Sequence, residues 1–236
     1  SVQNSKGHFI GFSNYSLYLQ EPALFQSLFN SLFIAIVSTL IVVVLAFLFA
    51  YAITRTCMPF KGLFRLVALI PLLSPSILAA IALVYWFGNK GVLKALLFGH
   101  SIYGPIGIIF ASIYWTFPHA LMILSTSLSL SDSRLYEAAE VLKTSKLRAF
   151  LTITIPGARY GIISTTFVIF TQVFTDFGVP KVIGGNYNVL ATDIYKEVVG
   201  MQNFQMGAVI SLVLLMPALV AFFIDQYSRK KQISLL

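Results

Sequence analysis

From Leu28 to Ile53 the chain carries no charged side chain and consists largely of Val, Ile, Leu, Phe and Ala. As a helix rising 1.5 Å per residue, that run is longer than the ~30 Å of hydrocarbon in a bilayer. A soluble core has no place for it, so lipid is the expected solvent. The remainder of the chain agrees: 58% of the 236 residues are apolar and 10% charged, against about 25% charged in soluble domains. Mean hydropathy is +0.85. Four more apolar stretches read as spans, roughly 66–87, 105–128, 157–176 and 207–224. The expected fold is an all-α transmembrane bundle of five spans. It divides into an extracytoplasmic lead-in (1–27), a membrane domain (28–228) and a basic tail (229–236).

Several spans contain helix breakers or polar groups. Pro71 and Pro75, with Ser74 and Ser76, interrupt the second span, and Pro118–His119 lies in the third. Inside a membrane such breaks survive only where a neighbouring helix or a water-lined cavity satisfies the freed carbonyls. The fourth span is hydroxylated, with Ser164, Thr165, Thr166, Thr171, Gln172 and Thr175 ahead of Asp176. The link after it holds a Gly184–Gly185 turn and an amphipathic piece, 189–199.

The net charge of +8 does not imply nucleic acid, because a nucleic-acid footprint needs cations clustered on a polar domain. Here they sit between apolar runs and report topology. With the links after spans one and three and the C-terminus on one side, eleven of the sixteen Lys/Arg share that side and five lie opposite. The positive-inside rule makes the richer side cytoplasmic and places the N-terminal end outside. Five spans with an outside start and no signal-peptide pattern suggest a further span before Ser1, in a longer membrane protein.

Enzymatic chemistry finds no support in the motifs. No GxxxxGK[ST], HExxH or GxSxG is present. Asp176-Phe177-Gly178 spells the magnesium tripeptide of kinases without their Gly-rich loop, lysine or catalytic loop. Cys57 is the only cysteine and His119 stands alone in its span, so neither builds a disulfide framework or a metal site.

The one long polar interruption is 131–156, with Arg134, Lys143, Lys146 and Arg148 beside Asp132, Glu137 and Glu140. Ser131 or Asp132 can N-cap one helix through Leu142, and Thr144 or Ser145 a second through Lys146 and Phe150. Pro156 would then start the fourth span, where its missing N–H costs nothing. Two short helices at an angle on the cytoplasmic face are expected, with Ala138 and Ala139 allowing a partner close and Glu137 offering it a carboxylate. A connecting loop without a partner is the plain alternative.

Residues 137–156 resemble the EAA loop of binding-protein-dependent ABC importer permeases. Glu137, Ala138, Ala139, Phe150, Ile153, Ile155 and Pro156 match that pattern in register, while Lys143 stands where the family has Gly. The departure puts the turn in question, since Gly serves where φ is positive or packing is close. The lead-in Gly11-Phe12-Ser13-Asn14-Tyr15 is similar to a second family piece. The resemblance implies a MetI-like permease bundle of the inner membrane whose loop forms coupling helices on a cytoplasmic ABC ATPase dimer. Glu137, Ala138, Ala139, Lys143, Phe150 and Pro156 would be the coupling residues, with Phe150 and Pro156 setting the exit angle into the fourth span. ATP and Mg would be held by the ATPase and not by this chain. An extracytoplasmic solute-binding protein and a second permease half or subunit would complete the assembly. The run Thr175–Pro180 with Asn186–Tyr195 resembles the iron(III) branch, often double-length chains, and 174–207 resembles 2-aminoethylphosphonate permeases within it.

Ionisable groups within spans are functional candidates by default. Asp176, with Gln172 one turn earlier, Thr171 and Ser74, forms the candidate substrate pathway; interhelical hydrogen bonding is the competing role for the same side chains. An ATP-independent secondary transporter or channel is the rival function, although such proteins place charges near the midplane, and the charges here gather in a loop.

Overall fold

The computed structural model of the protein describes residue 11 and residues 13–130 and 133–233. Among them every regular element is helical. In chain order these are α1 (Ser13–Gln20), α2 (Pro22–Arg55), α3 (Lys61–Leu69) with a 3₁₀ turn (Ile70–Leu73), α4 (Ser76–Phe87), and α5 (Pro105–Ser129). Then come α6 (Ser133–Val141), α7 (Lys146–Ala149), α8 (Ile155–Thr175), α9 (Gly178–Ile183), α10 (Leu190–Tyr195) and α11 (Phe204–Ile233).

The bundle is built on α2. Pro22 occupies its first turn, where the fixed φ suits a helix and no N–H is needed. Ser31, Ala35, Ser38, Val42, Ala46 and Ala50 make one buried stripe along it, while Phe33, Ile36, Leu40, Val44 and Leu48 face outward. In lipid an apolar side chain gains little by touching another helix, so association depends on close backbone approach between small residues. The buried stripe has that composition. Its most extensive partner, α5, also buries small residues, among them Ala111, Ser112, Thr116 and Ala120. Helix α8 packs on α2, α5 and α11 and closes the core. At the α5–α8 crossing a Cβ on Gly161 would lie 2.2 Å from Ser127 Oγ, so only glycine permits this separation.

The second expected span is not one straight helix. The pair formed by α3 with its 3₁₀ turn and α4 is bent by 103°. Ser74, ahead of Pro75, takes an extended conformation at φ −115° and ψ 138°, as the clash with a following proline ring requires. Helix α4, at 12 residues, reaches only about 18 Å. Among the described residues four helices are long and apolar enough to cross a membrane, or five if the bent pair counts as one.

The polar stretch also differs from expectation. Helix α7 does not stop before the fourth span: Lys146–Thr175 is continuous and apolar enough to cross. The join is a π-helical turn, Phe150–Thr154, in which the Ile155 N–H bonds the Phe150 carbonyl. Pro156 would otherwise clash with the carbonyl four residues back; the wider turn accommodates it. The second coupling helix is thus the first turn of the span itself. Ser145 caps it, its Oγ accepting from the Arg148 N–H at 3.3 Å. The proposed caps Ser131 and Asp132, and Phe12 of the lead-in piece, lie outside the described residues.

Candidate functional site

Two groups of residues were legible as candidates, and they lie on different parts of the bundle. The first is α6 with the turn that follows. Tyr136 is half-buried and Ala139 buried, whereas Leu135, Glu137, Ala138, Glu140 and Val141 are exposed. One face of α6 thus looks into the protein at i, i+3 spacing and the other looks out. The adjacent alanines part company: Ala138 is available to a partner, while Ala139 is covered by its own chain, correcting the expectation that both admit a partner. Leu142 and Leu147 are 76% and 70% exposed and extend the outward face.

Lys143 ends α6 in a left-handed conformation, φ 53°. The Thr144 N–H reaches back to the Ala139 carbonyl at 2.9 Å and the Lys143 N–H to the Glu140 carbonyl at 2.9 Å. This pair of bonds is the Schellman closure, in which glycine normally holds the left-handed place. The turn is therefore formed with lysine at the position where the family pattern has glycine.

Phe150, in the π turn, packs edge-on between two rings of α2, 6.0 Å from Phe47 and 5.2 Å from Tyr51. Pro156 is exposed one turn later. Two residues that sequence reasoning passed over complete this end of the bundle. The Arg55 guanidinium lies 4.5 Å over the Tyr136 ring, and its Nη2 donates to the Leu128 carbonyl. Tyr136 Oη donates to Thr154 Oγ1 at 2.9 Å. Their signals were present but weak: Arg55 is the first cation after the first span, and Tyr136 directly precedes Glu137.

The second group, Ser74, Thr171, Gln172 and Asp176, does not form one lining. Helix α8 ends at Thr175, and Asp176 is extended at ψ 131°, so it does not continue the helical face of Gln172. Its carboxylate is engaged: Oδ1 accepts from Ser76 Oγ at 2.6 Å and Oδ2 from the Val179 N–H at 2.9 Å. Ser76, not Ser74, is its partner across the break. Ser74 Oγ donates to the Pro71 carbonyl at 3.0 Å and serves its own turn. Gln172 Oε1 is buried without a hydrogen-bond partner. The Thr171 carbonyl accepts from Thr175 Oγ1 at 2.8 Å, and Thr165 and Thr166 likewise donate to carbonyls four residues back. Hydroxyls in an apolar setting satisfy themselves in this way, which accounts for much of the polarity of the fourth span.

At the α10 end, a cavity of about 550 Å³ is lined by Glu21, Asn188, Asp193, Lys196, Glu197 and Asn203 among others. Asp193 is buried and 3.6 Å from Lys196. Burial pushes its carboxyl above the usual range, with the Ser27 hydroxyl and the Lys196 ammonium pulling the other way.

Residues 58–233 match the family described as the binding-protein-dependent transport system inner membrane component. The chain belongs to that family. It is 28% identical over 208 residues to the ferric transport system permease protein FbpB of Actinobacillus pleuropneumoniae, covering 85% of this chain and 30% of the relative. To the spermidine/putrescine transport system permease protein PotB of Escherichia coli it is 27% identical over 210 residues, covering 85% of this chain and 76% of PotB. The chain thus spans about a third of the ferric permeases that it matches. The fold is that of a bacterial alginate ABC transporter, solved in complex with an alginate pentasaccharide-bound periplasmic protein. The TM-score is 0.71 at 16% identity, covering 93% of this chain and 81% of that one. An inner-membrane, multi-pass transport component is the family to which the bundle, the bent pair and α6 belong.

Proposed function

We propose that the chain is the permease part of an ATP-driven, binding-protein-dependent importer, and that α6 is the helix seated on its ATPase. The observation carrying this reading is the outward face of α6. Leu135, Val141 and Leu142 are 53%, 82% and 76% exposed, beside Glu137 and Ala138, on a helix outside the apolar spans. Exposed apolar patches rimmed by charge mark protein partners. The cation count makes this end cytoplasmic, which puts the cavity at the α10 end outside, on the side of a solute-binding protein. A second permease half or subunit completes the pore, and ATP and Mg reside on the ATPase dimer. Glu137, Ala138 and the Lys143 turn meet the ATPase; Ala139 and Phe150 tie α6 and the π turn to the bundle, and Pro156 sets the exit angle into α8.

The cargo is a small polar solute. The resemblance of 174–207 favours 2-aminoethylphosphonate; the ferric relative favours iron(III) as a second reading. Gln172, with its unpartnered buried oxygen, remains the pathway candidate, whereas Asp176 and Ser74 act at the break.

The test is co-purification of the full permease with its ATPase from membranes. Glu137→Lys and Leu142→Asp are expected to lose the ATPase while the permease stays folded. Stable ATPase binding by both variants would overturn the docking role. Uptake of 2-aminoethylphosphonate, ferric iron and putrescine by the reconstituted assembly, each with and without ATP, separates the cargo readings. It also separates an importer from an ATP-independent channel.

A further inference from the structure

We propose that Arg55 and Tyr136 form the joint through which movement of α6 reaches the membrane spans; the proposal rests on the importer reading above. Helix α6 turns only Tyr136 and Ala139 inward among Leu135–Val141, so it is not packed along its length. Through Tyr136 it meets α2 and the start of α8 directly, and α5 by way of Arg55. The ring lies under the guanidinium of Arg55, the last residue of α2. The same guanidinium donates to the carbonyl of Leu128 near the end of α5. The Tyr136 hydroxyl donates to Thr154 in the π turn that leads into α8.

The chemistry suits a joint. A guanidinium can stack on a ring with its face while its edge donates to a carbonyl, and a lysine ammonium cannot do both. Each contact is directional, so tilting α6 changes all three together. Beside the joint a cavity of about 750 Å³, bordered by Arg55, Tyr136, Lys143 and Lys146, separates α6 from the bundle. That space lets α6 tilt without driving side chains into a packed core. Phe150, held between Phe47 and Tyr51, ties the π turn to α2, so displacement of Thr154 is shared by both spans.

A merely stabilising role is the competing reading, since a cation at a helix C-terminus is favourable in itself. Coupling is shown only by measuring it. The experiment uses the full transporter with its ATPase and binding protein in vesicles. It reads assembly, ATP hydrolysis and transport for Arg55→Ala, Tyr136→Leu, the double variant and Arg55→Lys. The expected result is intact assembly and basal ATP hydrolysis with transport lowered roughly 5- to 150-fold, the ordinary range for coupling between two sites. The double variant should transport no worse than the poorer single, and Arg55→Lys should also be impaired. Wild-type transport per ATP in the single variants overturns the joint, as do losses that multiply in the double. Loss of assembly in both Arg55→Ala and Arg55→Lys overturns it too, assigning Arg55 to folding. If the wild-type assembly moves substrate without ATP, the importer reading itself falls, a result distinct from these.

Discussion

Ser76 and Asp176, a hundred residues apart in the chain, are joined by a 2.6 Å hydrogen bond from the serine hydroxyl to Oδ1. The bond pins the first turn of α4 to the segment between α8 and α9. Gly178 lets the two approach, since a Cβ there would fall 2.6 Å from Ser76 Oγ. The other oxygen of Asp176 holds the Val179 N–H at the start of α9. One carboxylate thus ties the start of α4, just past the 103° bend, to the start of α9. Removing it leaves two donors in a part-buried setting. Asp176→Ala should lower stability by about 1.5–3 kcal/mol, the usual contribution of a hydrogen bond to a charged group. Asp176→Asn retains an acceptor and should lose less. Thermal unfolding of the purified protein in detergent measures both, and an unchanged midpoint for the alanine variant would exclude the pin.

Lys143 holds the left-handed place at the end of α6. An L side chain pays about 1–2 kcal/mol there, and glycine returns part of that gain as chain entropy. Lys143→Gly should therefore strengthen the turn by about 1 kcal/mol, a factor of about five in the local opening equilibrium. Hydrogen exchange at the Leu142 and Thr144 amides should slow accordingly. Faster exchange would show that lysine contributes something the backbone geometry does not reveal.

The α5–α8 crossing depends on Gly161. An added Cβ would meet both Ser127 Oγ at 2.2 Å and Ser127 Cβ at 2.3 Å, so rotating the hydroxyl does not relieve it. Gly161→Ala should destabilise by about 1–3 kcal/mol, as overpacking does. Ser127→Ala should fail to rescue it, because the clashing Cβ stays, whereas Ser127→Gly should restore most of the loss. Unfolding midpoints of the single and double variants decide the matter.

Asp193 supplies a pH dependence. Its carboxyl is raised in the fold, chiefly by burial, above an ordinary value of about 3.9. Between the two values the folded protein keeps a proton that the unfolded chain has lost. Stability therefore falls as pH rises through that window and is flat above it. Asp193→Asn removes the titration. Its unfolding midpoint should vary less with pH on the acid side, and at neutral pH should equal or exceed that of the parent. A variant with an unaltered acid profile would assign the effect to another group.

Much of the fold was legible in the chain because lipid imposes a simple rule. A run such as 28–53 can satisfy its backbone in hydrocarbon only as a helix. Four of the five expected spans appear as long apolar helices, and the register 137–156 pointed to the family to which the chain belongs. Ser145 was readable as a cap because capping is decided within four residues. The tertiary structure decided what depends on distant neighbours. Pro71 and Pro75 announced a break, but the start of α4 beyond it is fixed by Asp176, a hundred residues beyond Ser76. Pro156 looked like a helix start, yet a π turn carries the helix through it. Ala138 and Ala139 are identical letters, and only the packing of α6 turns one outward and buries the other. The pairing of Arg55 with Tyr136 was out of reach for the same reason. Periodicity and composition are local, whereas the partner of a polar side chain is chosen by how the helices cross.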